Sequence, residues 1–73
     1  MLFKEKITKL RLDRKITQKG LAEKSGLKPA HIHQIEAGLR TKIYLETACK
    51  LASSLGVSLD EMIENTEFER RTE

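Results

Sequence analysis

Apolar residues recur along this chain every three or four positions, in short blocks separated by polar or small residues. That period belongs to amphipathic helices and not to strands. It predicts an all-α domain of five helices. The first covers about residues 2–14, with Phe3, Ile7 and Leu10 as its apolar stripe and Lys4, Lys6, Lys9 and Asp13 lying off it. It breaks near Lys15-Ile16. Thr17 is a good N-cap for a second helix over residues 18–25, in which Leu21 and Ala22 face inward. Gly26 ends it, because a left-handed residue there is least costly as glycine. A third helix starts at Lys28-Pro29, since proline's missing N–H loses no partner in a first turn. Ile32 and Ile35 form its inner face, and Gly38 stops it. A loop over residues 39–44 leads to a fourth helix at about 45–55, with Leu45, Ala48, Leu51, Ala52 and Leu55 on one stripe. Gly56 caps it. Ser58-Leu59-Asp60-Glu61 then reads as a capping box that opens a fifth helix carrying Leu59, Met62 and Ile63. The folded unit is expected over residues 5–63, with a polar tail at 65–73.

Length and cysteine content narrow the class. A chain of 73 residues makes one small domain with a modest core. With a single cysteine it forms no internal disulfide, which fits a reducing cytoplasm. No apolar run approaches a membrane span, and Met1-Leu2-Phe3-Lys4-Glu5-Lys6 lacks the apolar stretch of a signal peptide. The expected location is the cytoplasm, in association with the nucleoid. Charge is unevenly spread. Residues 1–42 hold 11 lysines and arginines against 4 acidic residues, whereas residues 43–73 hold 3 against 7. One part of the molecule is therefore a cationic surface suited to a polyanion.

Catalytic and metal chemistry find little support. His31 and His33 are two residues apart and point to different sides of a helix. No carboxylate or cysteine completes a metal site around them. Cys49 reads as a small core or half-buried residue, not a nucleophile. There is no convergent acid–base set, so neither an enzyme nor a cofactor is expected.

Residues 18–37 carry the specific signal. Two short helices crossing through a tight turn need a small residue at the approach, here Ala22, and a residue tolerant of positive φ in the turn, here Gly26. Leu27, Ile32 and Ile35 supply the buried contacts. On the opposite face of the third helix, Pro29, Ala30, His33 and Gln34 point outward. Gln34 is able to bond bidentately to adenine, His33 to donate to a base or a phosphate, and Ala30 to touch a thymine methyl. Thr17 and Gln18 lie at the start of the second helix, where backbone N–H groups and the dipole favour phosphate. Lys28 at the start of the third helix reaches a phosphate, and Arg40 and Lys42 in the next loop are natural backbone clamps.

With these features the chain resembles the Cro/phage-repressor helix-turn-helix family. The likeness rests on Ile7-Thr8-Lys9-Leu10-Arg11, on Ile16-Thr17-Gln18 with Leu21-Ala22-Glu23-Lys24, and on Gly26-Leu27 with Ile32 and Ile35-Glu36-Ala37-Gly38. It continues through Leu45-Glu46-Thr47, Leu51-Ala52 and Leu55-Gly56-Val57-Ser58-Leu59-Asp60-Glu61. The resemblance implies sequence-specific binding of double-stranded DNA by a transcriptional regulator, a repressor, usually as a homodimer on an inverted repeat. It implies DNA contact by Gln18, major-groove positions for Ala30, His33 and Gln34 with Pro29 beside them, and an ion pair between Arg11 and Glu36. Four residues depart from the family pattern. Lys15 stands where glycine is favoured, Gly20 sits inside the second helix, Lys28 replaces a Ser or Thr cap, and Pro29-Ala30 replace longer polar side chains. Ile43, Tyr44, Leu59, Met62 and Ile63 either close the monomer core or supply apolar surface for a two-fold dimer patch, and the second is the expectation here. Two other roles use the same fold: an antitoxin or restriction–modification controller with a protein partner, and a protein-interaction module that does not bind DNA.

Overall fold

The computed structural model describes residues 2–40 and 43–64. Five helices follow in order: α1 (Phe3–Asp13), α2 (Gln18–Ser25), α3 (Pro29–Glu36), α4 (Leu45–Leu55) and α5 (Leu59–Ile63). Four of the five starts have a local cause, while α4 begins at Tyr44 without a side-chain cap. The Glu5 carboxylate accepts the Leu2 N–H at 2.9 Å ahead of α1. Thr17 Oγ1 accepts the Gly20 N–H at 2.9 Å at the start of α2, and Ser58 Oγ accepts the Glu61 N–H at 3.0 Å at the start of α5. Pro29 occupies the first position of α3.

The ends of α1, α2, α3 and α4 share one device, a left-handed residue that lets the next N–H turn back onto the last turn. Gly26, Gly38 and Gly56 fill it after α2, α3 and α4, with φ of 76°, 75° and 70°. After α1 the residue is Lys15, with φ 56°. The Lys15 N–H reaches the Leu12 carbonyl at 2.9 Å and the Ile16 N–H reaches the Arg11 carbonyl at 3.2 Å. The turn after α1 thus takes the left-handed conformation although a lysine occupies it. Gly20 also has a packing reason. A Cβ there would sit 3.2 Å from both Ile16 Cγ2 and Thr17 Oγ1, so glycine lets the chain entering α2 lie close to its first turn.

The core joins all five helices. Phe3 and Ile7 of α1, Leu21 and Ala22 of α2, Ile32 and Ile35 of α3, Ala48, Leu51, Ala52 and Leu55 of α4, and Met62 of α5 are buried together. Helix α2 packs on α3 and α4, while α1 packs on α3 and α5. The turn between α2 and α3 is pinned by Ser25, which is 8% exposed. Its Oγ donates to the Ala22 carbonyl at 3.3 Å, and the Leu27 N–H donates to that carbonyl at 3.1 Å and approaches Ser25 Oγ at 3.4 Å. Arg14 closes the far end by donating from Nε to the Leu55 carbonyl of α4.

Three sequence expectations need correction. Leu45 lies on the α4 stripe by periodicity but is 68% exposed, because the stripe projects past the core at the first turn. Met62, expected at a dimer surface, is fully buried and closes the monomer core. An unbranched thioether fills an irregular gap of that kind well. Cys49 is exposed, since it lies off the α4 stripe next to Ala48.

A left-handed backbone costs a non-glycine residue about 1–2 kcal/mol, part of which glycine gives back as unfolded-chain entropy. Lys15→Gly is therefore expected to stabilise the fold by about 0.5–1 kcal/mol, read as a higher urea midpoint at unchanged slope. A lower midpoint would show that the Lys15 turn is unstrained.

Candidate nucleic-acid interface

The last residue of α3, Glu36, is the hub of a polar cluster that fixes three helices. Its side chain is 5% exposed and that of Arg11 is 12% exposed. Arg11 grips it from α1 with two prongs, Nε to Oε2 at 2.7 Å and Nη2 to Oε1 at 2.9 Å. The remaining Arg11 nitrogen, Nη1, donates to the Ile16 carbonyl at 2.9 Å, in the link between α1 and α2. Thr8 Oγ1 donates to Glu36 Oε1 at 3.1 Å, and Gln18 Nε2 donates to the same oxygen at 3.2 Å from the first turn of α2. A buried carboxylate without partners would cost several kcal/mol. Among the described residues no buried side-chain nitrogen or oxygen lacks a hydrogen-bond partner.

Electrostatics match this geometry. Burial pushes the Glu36 carboxyl upward. The hydrogen bonds from Arg11 and Gln18, the Arg11 charge and the Thr8 hydroxyl outweigh it and hold the group below the usual carboxylate range. The hydrogen bond to Glu36 raises the Arg11 guanidinium against a smaller opposing effect of burial, and the Glu36 charge adds to it.

With α3 locked at this end, its outer face is presented as one surface. Lys28, Pro29, Ala30 and His33 are exposed, and Gln34 is half-buried beside them. Thr17 is exposed and Gln18 half-buried at the start of α2. The Gln18 amide nitrogen is committed to Glu36, so the side chain is fixed in place. Arg40 is exposed, and its Nε donates to Gln34 Oε1 at 3.0 Å. His31 is half-buried one turn before Gln34. Burial first, and the Arg40 charge second, lower its imidazole. Lys42 lies outside the described residues.

The apolar residues assigned to a dimer patch divide. Tyr44 is 68% exposed and Ile63 is 38% exposed, whereas Ile43 and Leu59 are half-buried against the core. Met62 has no surface to offer. Leu12 and Leu39 are also exposed, and the sequence did not single them out. Among the described residues no group of three or more His, Cys, Asp or Glu is placed to hold a metal ion. No helix among them is long and apolar enough to cross a membrane.

Sequence reasoning missed Thr8 and the Ile16 carbonyl as partners in the Glu36 cluster, and it missed the bond from Arg40 to Gln34. Thr8 was findable, because it stands three residues before Arg11 and shares its helix face. A backbone carbonyl and a loop arginine leave no periodic trace.

A locked α3 with an exposed polar face, crossing α2 through a turn of three residues, defines a helix-turn-helix domain of the DNA-binding regulator class. The profile of the helix-turn-helix family matches residues 7–62. The chain is similar to the restriction-modification controller protein C.AhdI from Aeromonas hydrophila, at 30% identity and a TM-score of 0.78, over 82% of this chain and 89% of that one. It shares its fold with SinR, the master regulator for biofilm formation, solved in complex with DNA, at 24% identity and a TM-score of 0.81 over 86% and 100% of the two chains. It also shares it with a SinR protein/SinI protein complex, at 23% identity and a TM-score of 0.81 over 88% of this chain and 62% of that one. A comparison with curated proteins gives no match. The chain belongs to the helix-turn-helix family of DNA-binding transcriptional regulators, in its Cro/C1-type branch.

Removing one partner of the Arg11–Glu36 pair strands a buried charge. Glu36→Gln is expected to cost about 3 kcal/mol at neutral pH, whereas the double change Arg11→Met/Glu36→Leu costs clearly less. Because the Glu36 carboxyl is held low, its stabilisation is complete above the usual carboxylate range and is lost as pH falls through it. Urea unfolding between about pH 5 and about pH 3 should show a steeper loss for the parent than for Glu36→Gln. Parallel losses would mean that Glu36 titrates alike in the folded and unfolded chains.

Proposed function

We propose that this protein is a sequence-specific transcriptional regulator, a repressor, that lays α3 in the major groove of double-stranded DNA. One observation carries this: the polar outer face of α3 and the start of α2 form a single surface whose register is fixed by Glu36. In this reading Ala30, His33 and Gln34 face base edges, with Pro29 keeping the backbone close. The free N–H groups at the start of α2, flanked by Thr17 and Gln18, receive a phosphate. Lys28 and Lys42 neutralise neighbouring phosphates and supply affinity without sequence preference. The protein works in the cytoplasm, on the nucleoid.

A single domain grips one half-site, so a homodimer on an inverted repeat completes the reading, with half-sites about 34 Å apart. Tyr44 and Ile63, with the half-buried Ile43 and Leu59, are the residues proposed for the two-fold contact. A second reading, a restriction–modification controller, draws on the similarity to C.AhdI over 89% of that chain. It shares the same DNA surface and differs only in the gene under control.

Selection of bound duplexes from a random pool is the first test. The parent should recover one inverted-repeat consensus, and its affinity should fall steeply with salt. Gln34→Ala should relax one position in each half-site, while Lys42→Ala should weaken every sequence alike and flatten the salt slope by about 1. An unchanged consensus for Gln34→Ala would refute this register of α3. Sedimentation at micromolar concentration should show a dimer that Ile63→Asp dissociates. A monomeric parent, with and without DNA, would remove the proposed interface.

A further inference from the structure

Arg40 was expected to clamp the DNA backbone, yet its surroundings point to the bases. Beyond α3, Gly38 takes its left-handed turn and the Leu39 N–H returns to the Gln34 carbonyl at 2.9 Å. This return carries Arg40 alongside the last turns of α3, where its Nε donates to Gln34 Oε1 at 3.0 Å. Its charge is also felt at His31, one turn earlier on the same helix. Arg40 is therefore laid along α3.

A guanidinium only donates hydrogen bonds, so the group facing it must be the amide oxygen of Gln34. The Gln34 amide nitrogen then faces the other way. An unrestrained glutamine reads adenine by accepting from N6 and donating to N7, which needs its oxygen at the base edge. Here one lone pair of that oxygen is taken, and positive charge stands beside the other. Among the described residues, Arg40 makes its side-chain hydrogen bond through Nε, to Gln34. What the two side chains offer jointly is a row of donors. Guanine presents two acceptors, N7 and O6, along its major-groove edge, whereas adenine places a donor where O6 would be.

We infer that Arg40 is a specificity-determining residue: bonded to Gln34, it converts the two side chains into one donor pair that selects guanine over adenine at the base pair beneath Gln34. This rests on the proposed binding of DNA through α3.

The test is random-pool selection with the full chain, comparing the parent with Arg40→Ala, Arg40→Lys and Gln34→Ala. Thermal melts of the two Arg40 variants should match the parent's, since Arg40 is exposed. The parent should select guanine at one position of each half-site. Arg40→Ala should shift that position toward adenine, with a loss of guanine-over-adenine discrimination of about tenfold. Arg40→Lys keeps the charge but not the planar fork, and should lose the guanine preference as well. Gln34→Ala should erase the preference at that same position. If Arg40→Ala keeps guanine and weakens all sequences equally, Arg40 is a phosphate clamp and the inference is overturned while DNA reading by α3 stands. A parent that selects no sequence would overturn both.

Discussion

The arrangement of this domain depends on one buried carboxylate. Glu36 terminates α3, and through it α3 is tied to α1 by Arg11 and Thr8 and to α2 by Gln18. A side chain that accepts four hydrogen bonds in a low-dielectric site does not tolerate loose geometry, because each missing donor leaves charge exposed to an apolar surrounding. The apolar core brings the helices together without specifying their rotation. The Glu36 cluster has direction, and it sets how far α3 rolls. The left-handed turn at Lys15 belongs to the same constraint. Arg11 holds the Ile16 carbonyl while it grips Glu36, so the chain between α1 and α2 must double back there whatever residue occupies the turn.

This explains how a very small domain presents a fixed polar face on α3. A core drawn from five short helices leaves little margin of stability. A reading helix must nonetheless be held to within about 1 Å for side chains to find base edges, since base contacts are directional. Placing the polar hub at the C-terminal end of α3 and the pinned Ser25 turn at its N-terminal end restrains the helix from both sides. The face between these anchors is free to vary. Pro29 and Ala30 are short, so the proposed base discrimination rests on the later part of α3, where Arg40 returns from the following loop to bond Gln34 at 3.0 Å.

Much of the fold was legible because helix ends are local chemistry. Thr17, Gly26, Pro29, Gly56 and Ser58 each mark a boundary through a backbone requirement that needs no tertiary context. The Arg11–Glu36 association followed from resemblance, and the structure places the two groups 2.7 Å apart. Depth was harder to read than direction. The α4 stripe gives the side on which Leu45 lies, but not how deeply it sits. Periodicity likewise could not divide the apolar residues of α5 between core and surface, so Met62 was assigned to the wrong one. The site was legible as a face and not as a network. Pairings such as Gln18 with Glu36, or Arg40 with Gln34, depend on how loops return, and single-residue chemistry does not encode that.

The central claim is that α3, with the start of α2, is the surface that meets DNA. It is tested most directly by titrating isotope-labelled protein with a duplex recovered by selection and following each backbone amide. The expected result is that the largest shifts fall on residues 17–19, 30–34 and 40, with α4 left near its free positions. Shifts concentrated on α4, with residues 30–34 unmoved, would contradict it.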